Sequence, residues 1–355
     1  MSSKNKIAVL LFIVITSLSL WLYLRNHSGT IRKELFDFAV EDTASITKIF
    51  MVNSEGKQIT LEKNKLGRWL VNGKFKPRKD ALKNLLVTIK EMRVRNPVAK
   101  TGIETISKQL ATSGTKVEIY NGEKLLKKYY VGADAQDGLG TFMLLTNTET
   151  GENSTLPFEM FIPGFNGFLS VRFFLNEELW RDTHIFSFYP DEISTISVQY
   201  KRFPDSSFTF SLNDKNEIAL ADSKGKNISN FDTLKAKRYI TYYNNITYEG
   251  LRNDLRKSYK DSILSKGPVH TIVVTEKNGK AHTLKTFPKP PYDPKRINPQ
   301  TGKPDEEDLE RLYGLINDDK DFVTIQYYVI GKLFQGISYF THSSTLSSQA
   351  PAVKK

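Results

Sequence analysis

Residues 46–93 read ITKIFMVNSEGKQITLEKNKLGRWLVNGKFKPRKDALKNLLVTIKEMR, and their pattern is the strongest indication of the fold. A strand is predicted to begin at Ile46–Ile49, a Ser-Glu-Gly-Lys turn follows, and Gln58–Leu61 then alternates between polar and apolar residues, which predicts an antiparallel return strand. A third strand is predicted at Arg68–Val71, where an Asn-Gly pair gives a hairpin signal. From Pro77 to Arg93, apolar residues recur at helical spacing. The stretch therefore predicts three strands followed by a helix.

The same pattern recurs further along the chain. A fainter copy begins at Ile193, with strands expected at 208–212 and 218–220 and a helix that starts near Asp232. A third hairpin, from Ile272 to Leu284, matches the first hairpin at a constant offset. Repetition at this long spacing indicates duplicated subdomains and not a short-period solenoid. Chance similarity between hairpins is the alternative for the second copy.

The N-terminal region contains an uncharged apolar run, IAVLLFIVITSLSLWLYL, at residues 7–24. As a helix, these 18 residues span about 27 Å, enough to cross the hydrocarbon core of a bilayer. A cleaved signal peptide is the alternative, because Ser17-Leu18-Ser19 offers small residues, but cleavage there would cut inside the run. We therefore predict a retained signal-anchor. Its expected membrane residues include Ile7, Leu10, Phe12, Trp21, Tyr23 and Leu24.

These observations predict an α+β fold in which an N-terminal transmembrane helix precedes duplicated β-hairpin-plus-helix subdomains with mostly antiparallel sheets. The signal-like layout of the anchor, and not its charge balance, favours an orientation with the bulk of the chain outside the cytoplasm. The expected order is a cytoplasmic tail at 1–6, the anchor at 7–24, a stalk at 25–42, a first α+β unit with inserted hairpins at 43–190, a second related unit at 191–265, a third hairpin with a Pro-rich loop and a C-terminal helix and strand at 266–342, and a disordered tail at 343–355.

Two further segments carry specific expectations. Residues 305–316 begin with four acidic residues, which suit the positive end of a helix dipole, and so predict a helix. A strand is expected to follow at 322–330. The segment 163–175 is rich in aromatic residues. It is expected to be core, and the alternative is a partner groove or a membrane-contact loop.

The sequence offers little that indicates catalysis. It has no cysteine, which excludes disulfides, cysteine-based zinc sites and thiol nucleophiles. No two of the five histidines, His27, His184, His270, His282 and His342, are spaced as a local metal half-site. Nucleotide-binding, serine hydrolase and zinc protease motifs are missing as well. We therefore expect no cofactor, no metal, no small-molecule substrate and no enzymatic activity. A hydrolase whose site is assembled from distant residues is the alternative.

Basic charge is concentrated in one part of the chain. The formal net charge is +12, and twelve Lys and Arg residues lie between Lys63 and Lys100. This concentration predicts a docking surface for an acidic partner or for an anionic polymer or lipid. A solvated helix face is an equally weighted alternative. Nucleic acid is not expected, because no recognition motif or stacking series accompanies the charge. The candidate docking residues are Lys74, Lys76, Arg78, Lys79 and Lys83.

Several short motifs resemble one known family. The run Glu178–Phe186 leads into Tyr189–Ile193, and both are similar to the segment that joins two repeats in the uncharacterised DUF4340 family. Gly67–Val71 and Leu312–Asn317 also resemble that family, the latter in its Bacteroidota-type version. The resemblance covers most of residues 40–340. It implies an anchored envelope protein, often encoded near auxiliary subunits of gliding-associated ABC transporters, and it implies no catalytic residues. We read Trp180, Arg181 and Asp182 as a structural joint between subdomains.

The expected function is that of a membrane-anchored periplasmic accessory or scaffold protein. It would be a single-pass protein of the inner (cytoplasmic) membrane that contacts integral-membrane or envelope proteins. An ABC-type transporter or a gliding-related assembly is the partner that the resemblance implies. The alternatives are a binding module for an anionic envelope polymer or lipid and an unrecognised envelope hydrolase.

Overall fold

The chain forms an α+β protein with more strand than helix. The computed structural model describes residues 14–19, 21, 37–293, 295, 297–298 and 301–341. Every pairing between its described strands is antiparallel. The chain divides into two compact units, Met1–Asp182 (unit 1) and Thr183–Lys355 (unit 2).

Between residues 37 and 182, unit 1 contains eight strands and three α-helices. In chain order they are β1 Lys48–Val52, β2 Gln58–Lys63, β3 Trp69–Val71, α1 Lys79–Glu91, β4 Arg93–Pro97, α2 Ile103–Ser113, β5 Thr115–Asn121, β6 Lys124–Asp134, β7 Thr141–Thr146, β8 Phe158–Phe161 and α3 Glu177–Trp180. The strands form one sheet in the order β3-β2-β1-β5-β6-β7-β8-β4. The predicted first three strands and helix are therefore present.

Side-chain alternation explains how this sheet builds a core. In the β1–β2 pair, Ile49 lies opposite Leu61 and Met51 lies opposite Ile59, and all four side chains are fully buried. Helix α1 contributes its own apolar stripe to the same core, including Leu85 and Ile89. Phe38 and Val40 are also buried there. The segment predicted as a stalk up to residue 42 therefore adds core side chains to unit 1.

Unit 2 contains eleven described strands and four described α-helices. They are β9 His184–Phe186, β10 Ile193–Tyr200, β11 Phe208–Leu212, β12 Ile218–Asp222, β13 Asn227–Ile228, α4 Thr233–Thr241, β14 Ile246–Thr247, β15 Gly250–Leu251, α5 Lys257–Leu264, β16 His270–Glu276, β17 Ala281–Pro288, β18 Arg311–Ile316, β19 Asp321–Gln326, α6 Tyr327–Ile330 and α7 Ser338–Thr341. Nine strands form the sheet β13-β12-β11-β10-β16-β17-β18-β19-β15, and β9 pairs with β14.

The two units share the main features of one topology: a first meander, two helices, and a second meander of four strands. The first meander has three strands in unit 1, β1–β3, and four in unit 2, β10–β13, where β9 precedes it. One short strand, β4, lies between the two helices of unit 1, and two, β14 and β15, lie between those of unit 2. The first strands of the two meanders pair in both units, β1 with β5 and β10 with β16. The edge strands β4 and β15 pair with the last meander strands, β8 and β19.

This topology changes the place of the third hairpin. The sequence predicted a separate unit from residue 266, but the hairpin β16–β17 lies in the same sheet as the strands of the second copy. Its counterpart in unit 1 is β5–β6, which the sequence treated as an insertion. Because hairpins alternate in the same way wherever they lie in a sheet, sequence similarity alone did not distinguish these positions.

The predicted helix at 305–316 is wrong. Residues 305–308 lie in a loop, and Arg311–Ile316 form strand β18. Leu312 and Ile316 face the main core of unit 2, whereas Tyr313 and Leu315 belong to a smaller cluster. A strand buried on both faces shows a continuous apolar run with no alternation. Gly314 fits this packing, because an added Cβ would lie 2.6 Å from Ile325 Cδ1. The strand expected at 322–330 also ends early, since residues 327–330 are helical.

The predicted membrane anchor falls mostly on residues whose structure is not described. Ile7, Leu10, Phe12, Tyr23 and Leu24 lie outside the described residues, as does the tail at 343–355. Trp21 is helical and exposed. Among the described residues, no helix combines the length and the apolar character that a membrane crossing requires.

Candidate docking surfaces

The five basic residues singled out from the sequence cluster around the start of helix α1. Lys74 lies in the turn after β3, and Lys76 precedes Pro77. Arg78 is the N-cap residue, with no side-chain hydrogen bond to the helix, and Lys79 is the first helical residue. Lys83 follows one turn later on the exposed side. We call Lys74, Lys76, Arg78, Lys79 and Lys83 the basic face.

Carboxylates form ion pairs with two residues of the basic face and so neutralise their positive charge. Lys76 Nζ lies 2.7 Å from Asp182 Oδ2, and Arg78 Nε lies 2.9 Å from Asp80 Oδ1. Burial alone would raise the pKa of Asp80, but the hydrogen bond and the charge of Arg78 outweigh it and hold that pKa below its usual value. No described carboxylate forms an ion pair with the exposed residues Lys74, Lys79 and Lys83. These three lysines therefore supply the uncompensated positive charge.

The predicted joint residues, Trp180, Arg181 and Asp182, are the last three residues of unit 1. Trp180 is fully buried, stacks on Phe174 with ring centroids 4.2 Å apart, and donates from Nε1 to the Phe174 carbonyl at 2.8 Å. The Arg181 side chain is buried, and its guanidinium lies 3.7 Å from the centroid of the Phe75 ring. The Asp182 N–H donates to the Lys76 carbonyl at 2.8 Å. These contacts fix the end of unit 1 against the segment that carries the basic face.

The aromatic segment divides between core and surface. Leu169 and Phe173 are buried in unit 1, as expected for core. Phe165, Phe168 and Val171 are instead 36%, 38% and 64% exposed. Val87, on the neighbouring helix α1, is 40% exposed. We call Phe165, Phe168, Val171 and Val87 the apolar tip.

Arg172 connects the segment that contains Phe165 to helix α1. The Arg172 guanidinium lies 4.3 Å from the centroid of the Phe165 ring, and its Nη1 donates to Thr88 Oγ1 at 2.7 Å. The contribution of Val87 was missed in the sequence, although an apolar residue between Lys83 and Lys90 on the polar side of a helix is a visible signal.

Several open grooves lie on unit 2. One, of about 280 Å³, is lined by residues that include Tyr292, Asp308 and Arg311. Burial alone would raise the pKa of Asp308, but hydrogen bonds from Lys289 and from two backbone N–H groups hold it below its usual value. A second groove, of about 410 Å³, is lined in part by Tyr200 and Pro268.

The acidic groups of unit 2 act as ion-pair partners. The Glu249 carboxylate accepts three hydrogen bonds from the Arg311 guanidinium, two from Nε at 2.8 and 3.1 Å and one from Nη2 at 3.0 Å. The Arg311 contact is the main reason why the pKa of Glu249 is lowered. The described residues contain no group of three or more His, Asp or Glu side chains placed to hold a metal ion.

Comparison with known proteins returns no match. No protein-family model, no curated protein and no solved structure matches this chain. The resemblance to DUF4340 therefore stays a prediction.

Proposed function

We propose that this chain is a membrane-anchored, non-enzymatic accessory or scaffold protein of the cell envelope. Residues 7–24 form its single anchor in the inner membrane, and the bulk of the chain lies in the periplasm. Unit 1 binds an integral-membrane or envelope protein through the basic face. The resemblance to DUF4340 favours an ABC-type transporter or a gliding-related assembly as the partner.

The observation that supports this proposal is the uncompensated charge of Lys74, Lys79 and Lys83 around the start of α1. Positive side chains are unfavourable at a helix N-terminus, because the macrodipole is positive there. The equivalent helix of unit 2, α4, has Asp232 as its N-cap residue, and the Asp232 side chain accepts hydrogen bonds from two backbone N–H groups. The shared topology therefore does not require lysine at this position, which favours a binding role over a merely solvated face.

Charge reversal tests the basic face directly. Lys74→Glu, Lys79→Glu and Lys83→Glu are combined in the full chain, which is then purified from detergent-solubilised membranes. The matched control carries Lys215→Glu, Lys224→Glu and Lys237→Glu, at exposed lysines of unit 2. We expect the wild type and the control to retain one defined integral-membrane or envelope partner that the basic-face variant loses. Equal recovery by all three, or a lone monomer in each case, contradicts the proposal.

The placement of the chain has its own test. Protease added to spheroplasts should digest residues 37–341, and the mature protein should retain residues 7–24. A mature N-terminus near Leu20, or protection of the folded units, contradicts the proposed anchoring and orientation.

An anionic envelope polymer is the second candidate for the basic face, and the same three lysines favour it. Salt-sensitive binding of the purified chain to an anionic polysaccharide, lost in the basic-face variant and kept in the control, supports this candidate. Such a result together with no protein partner replaces the scaffold proposal.

A further inference from the structure

The apolar tip is held in place by the residues between its members. The Leu169 N–H donates to Thr141 Oγ1 at 2.9 Å, and Ser170 Oγ donates to Asp134 Oδ2 at 2.8 Å. Arg172 is tied to Thr88, so both neighbours of Val171 are bonded inward while Val171 stays exposed. The apolar surface is therefore preformed.

A glycine allows the compact shape of the tip. Gly167 has a φ of +149°, and an added Cβ would lie 3.0 Å from the Phe165 ring. Exposed apolar surface costs about 25 cal/mol per Å² relative to burial. Because the tip is already ordered, an apolar partner can cover it without a large loss of conformational entropy.

Two basic side chains follow Val87, the member of the apolar tip on α1. Lys90 lies three residues after Val87, and Arg93 begins β4 immediately beyond the helix; both are exposed. Glu91 is 3.9 Å from Lys90 Nζ and 3.9 Å from Arg93 Nη2, so it neutralises their charge only in part. Exposed apolar side chains together with Lys and Arg are typical of surfaces that enter the headgroup region of a bilayer.

We infer that the apolar tip docks unit 1 on a phospholipid bilayer that carries anionic headgroups. Phe165, Phe168, Val171 and Val87 enter the boundary between headgroups and acyl chains, and Lys90 and Arg93 contact the lipid phosphates. This inference rests on the proposed anchor. Residues 25–36 are all that separate the anchor from unit 1, and twelve residues span at most roughly 40 Å. The bilayer is therefore always within reach, which favours it over a diffusing protein partner.

The lack of cysteine allows a site-specific test in the full chain. Val171→Cys is labelled with an environment-sensitive fluorophore, and the chain is reconstituted in vesicles of phosphatidylethanolamine and phosphatidylglycerol. Leu66→Cys in unit 1 and Leu234→Cys in unit 2 are matched exposed controls. We expect the label at 171 to shift to shorter emission wavelength and to be quenched several-fold more by nitroxide on the acyl chains than by iodide in water. The controls should show the reverse.

The outcomes separate this inference from the proposed anchor. Failure of the chain to float with the vesicles is a failure of the anchor. Flotation with a water-exposed label at 171 overturns the docking inference alone. Protection of position 171 in native membranes but not in protein-free vesicles assigns the tip to a protein partner and also overturns it. Lys90→Glu with Arg93→Glu should weaken the shift at 171, and pure phosphatidylcholine should do the same.

Discussion

The two units differ in how the segment that follows their last strand packs, although each segment also exposes apolar side chains. In unit 2 this segment covers the core: Phe340 is fully buried and its ring meets those of Phe208, Phe210 and Tyr239 at centroid distances of 4.9 to 5.2 Å. In unit 1 the corresponding segment also contributes buried residues, but it leaves the apolar tip in solvent. Similar strand orders thus occur with a last segment that covers the core and with one that leaves the apolar tip exposed. The strand order therefore does not by itself cause the exposure of the apolar tip in unit 1.

Substituting one phenylalanine in each of these two segments should change the stability of the two units by very different amounts. Phe340→Ala should lower the free energy of unfolding of unit 2 by about 3–5 kcal/mol, because it removes a ring from a packed aromatic core. Phe168→Ala in unit 1 should cost under about 1 kcal/mol, since its side chain is substantially exposed. Urea unfolding of the two full-length variants measures both. Similar losses would remove the distinction between the segments.

A second contrast concerns buried tyrosines. Tyr239 Oη donates to the Leu333 carbonyl at 2.8 Å and lies 2.9 Å from Tyr243 Oη, whereas the buried Tyr129 Oη has no hydrogen-bond partner among the described residues. Tyr239→Phe should destabilise unit 2 by about 1–3 kcal/mol, because it leaves buried polar groups unsatisfied.

Tyr129→Phe is the matched variant in unit 1. It should leave stability unchanged or raise it by about 1 kcal/mol, because the hydroxyl is desolvated without compensation. Thermal unfolding of both variants gives the comparison. A loss for Tyr129→Phe as large as that for Tyr239→Phe would show that the Tyr129 hydroxyl is satisfied.

Unit 2 also contains a histidine that links its stability to pH. Burial and the charge of Arg202 lower the pKa of His270 to about 4. The ring stacks on Phe334, and Nδ1 lies 2.9 Å from Thr286 Oγ1. As the pH falls below about 6.5, His270 takes up a proton in the unfolded chain but not in the folded chain. Proton binding therefore favours the unfolded chain, and the free energy of unfolding, which is highest above about pH 6.5, decreases as the pH falls toward about 4.

The loss should be about 1–2 kcal/mol, reduced from the full linkage value because the ring is partly solvated. Urea unfolding between pH 7 and pH 4 measures it, with His270→Asn as the control that should flatten this part of the profile. An identical pH dependence in the variant would exclude His270 as its source.

The smallest expected change in stability comes from a substitution that should affect folding and partner binding in opposite directions. Lys79→Glu should stabilise α1 by about 0.3–1 kcal/mol, because it places negative charge at the positive end of the helix dipole. The same change should weaken partner capture. Lys237→Glu in α4 is the control for capture, since it reverses an exposed lysine of the equivalent helix. A destabilised Lys79→Glu variant would mean that Lys79 has a structural role.

The sequence predicted those elements in which one face is buried. Strand β2 shows the alternation and helix α1 the spacing of half-buried elements, and both are present. Strand β18 was missed because both of its faces are buried, which removes the alternation that distinguishes a strand from a helix.

The residues of the basic face could be predicted from the sequence, but which of their charges are neutralised by ion pairs could not. The lysine concentration in the sequence identified the basic face. The pairing of Lys76 with Asp182, more than one hundred residues away in sequence, depends on tertiary structure and removes one of its charges. The apolar tip likewise required the contact of Arg172 with helix α1, which joins distant parts of the chain.

Site-specific crosslinking in intact cells shows whether the basic face contacts a protein partner. Lys79→Cys and Lys237→Cys, in the otherwise cysteine-free chain, place one reactive group on α1 or on its counterpart α4. We expect a defined adduct with an integral-membrane or envelope protein from position 79 and none from position 237. The same adducts from both positions, or none from position 79, would contradict the proposal.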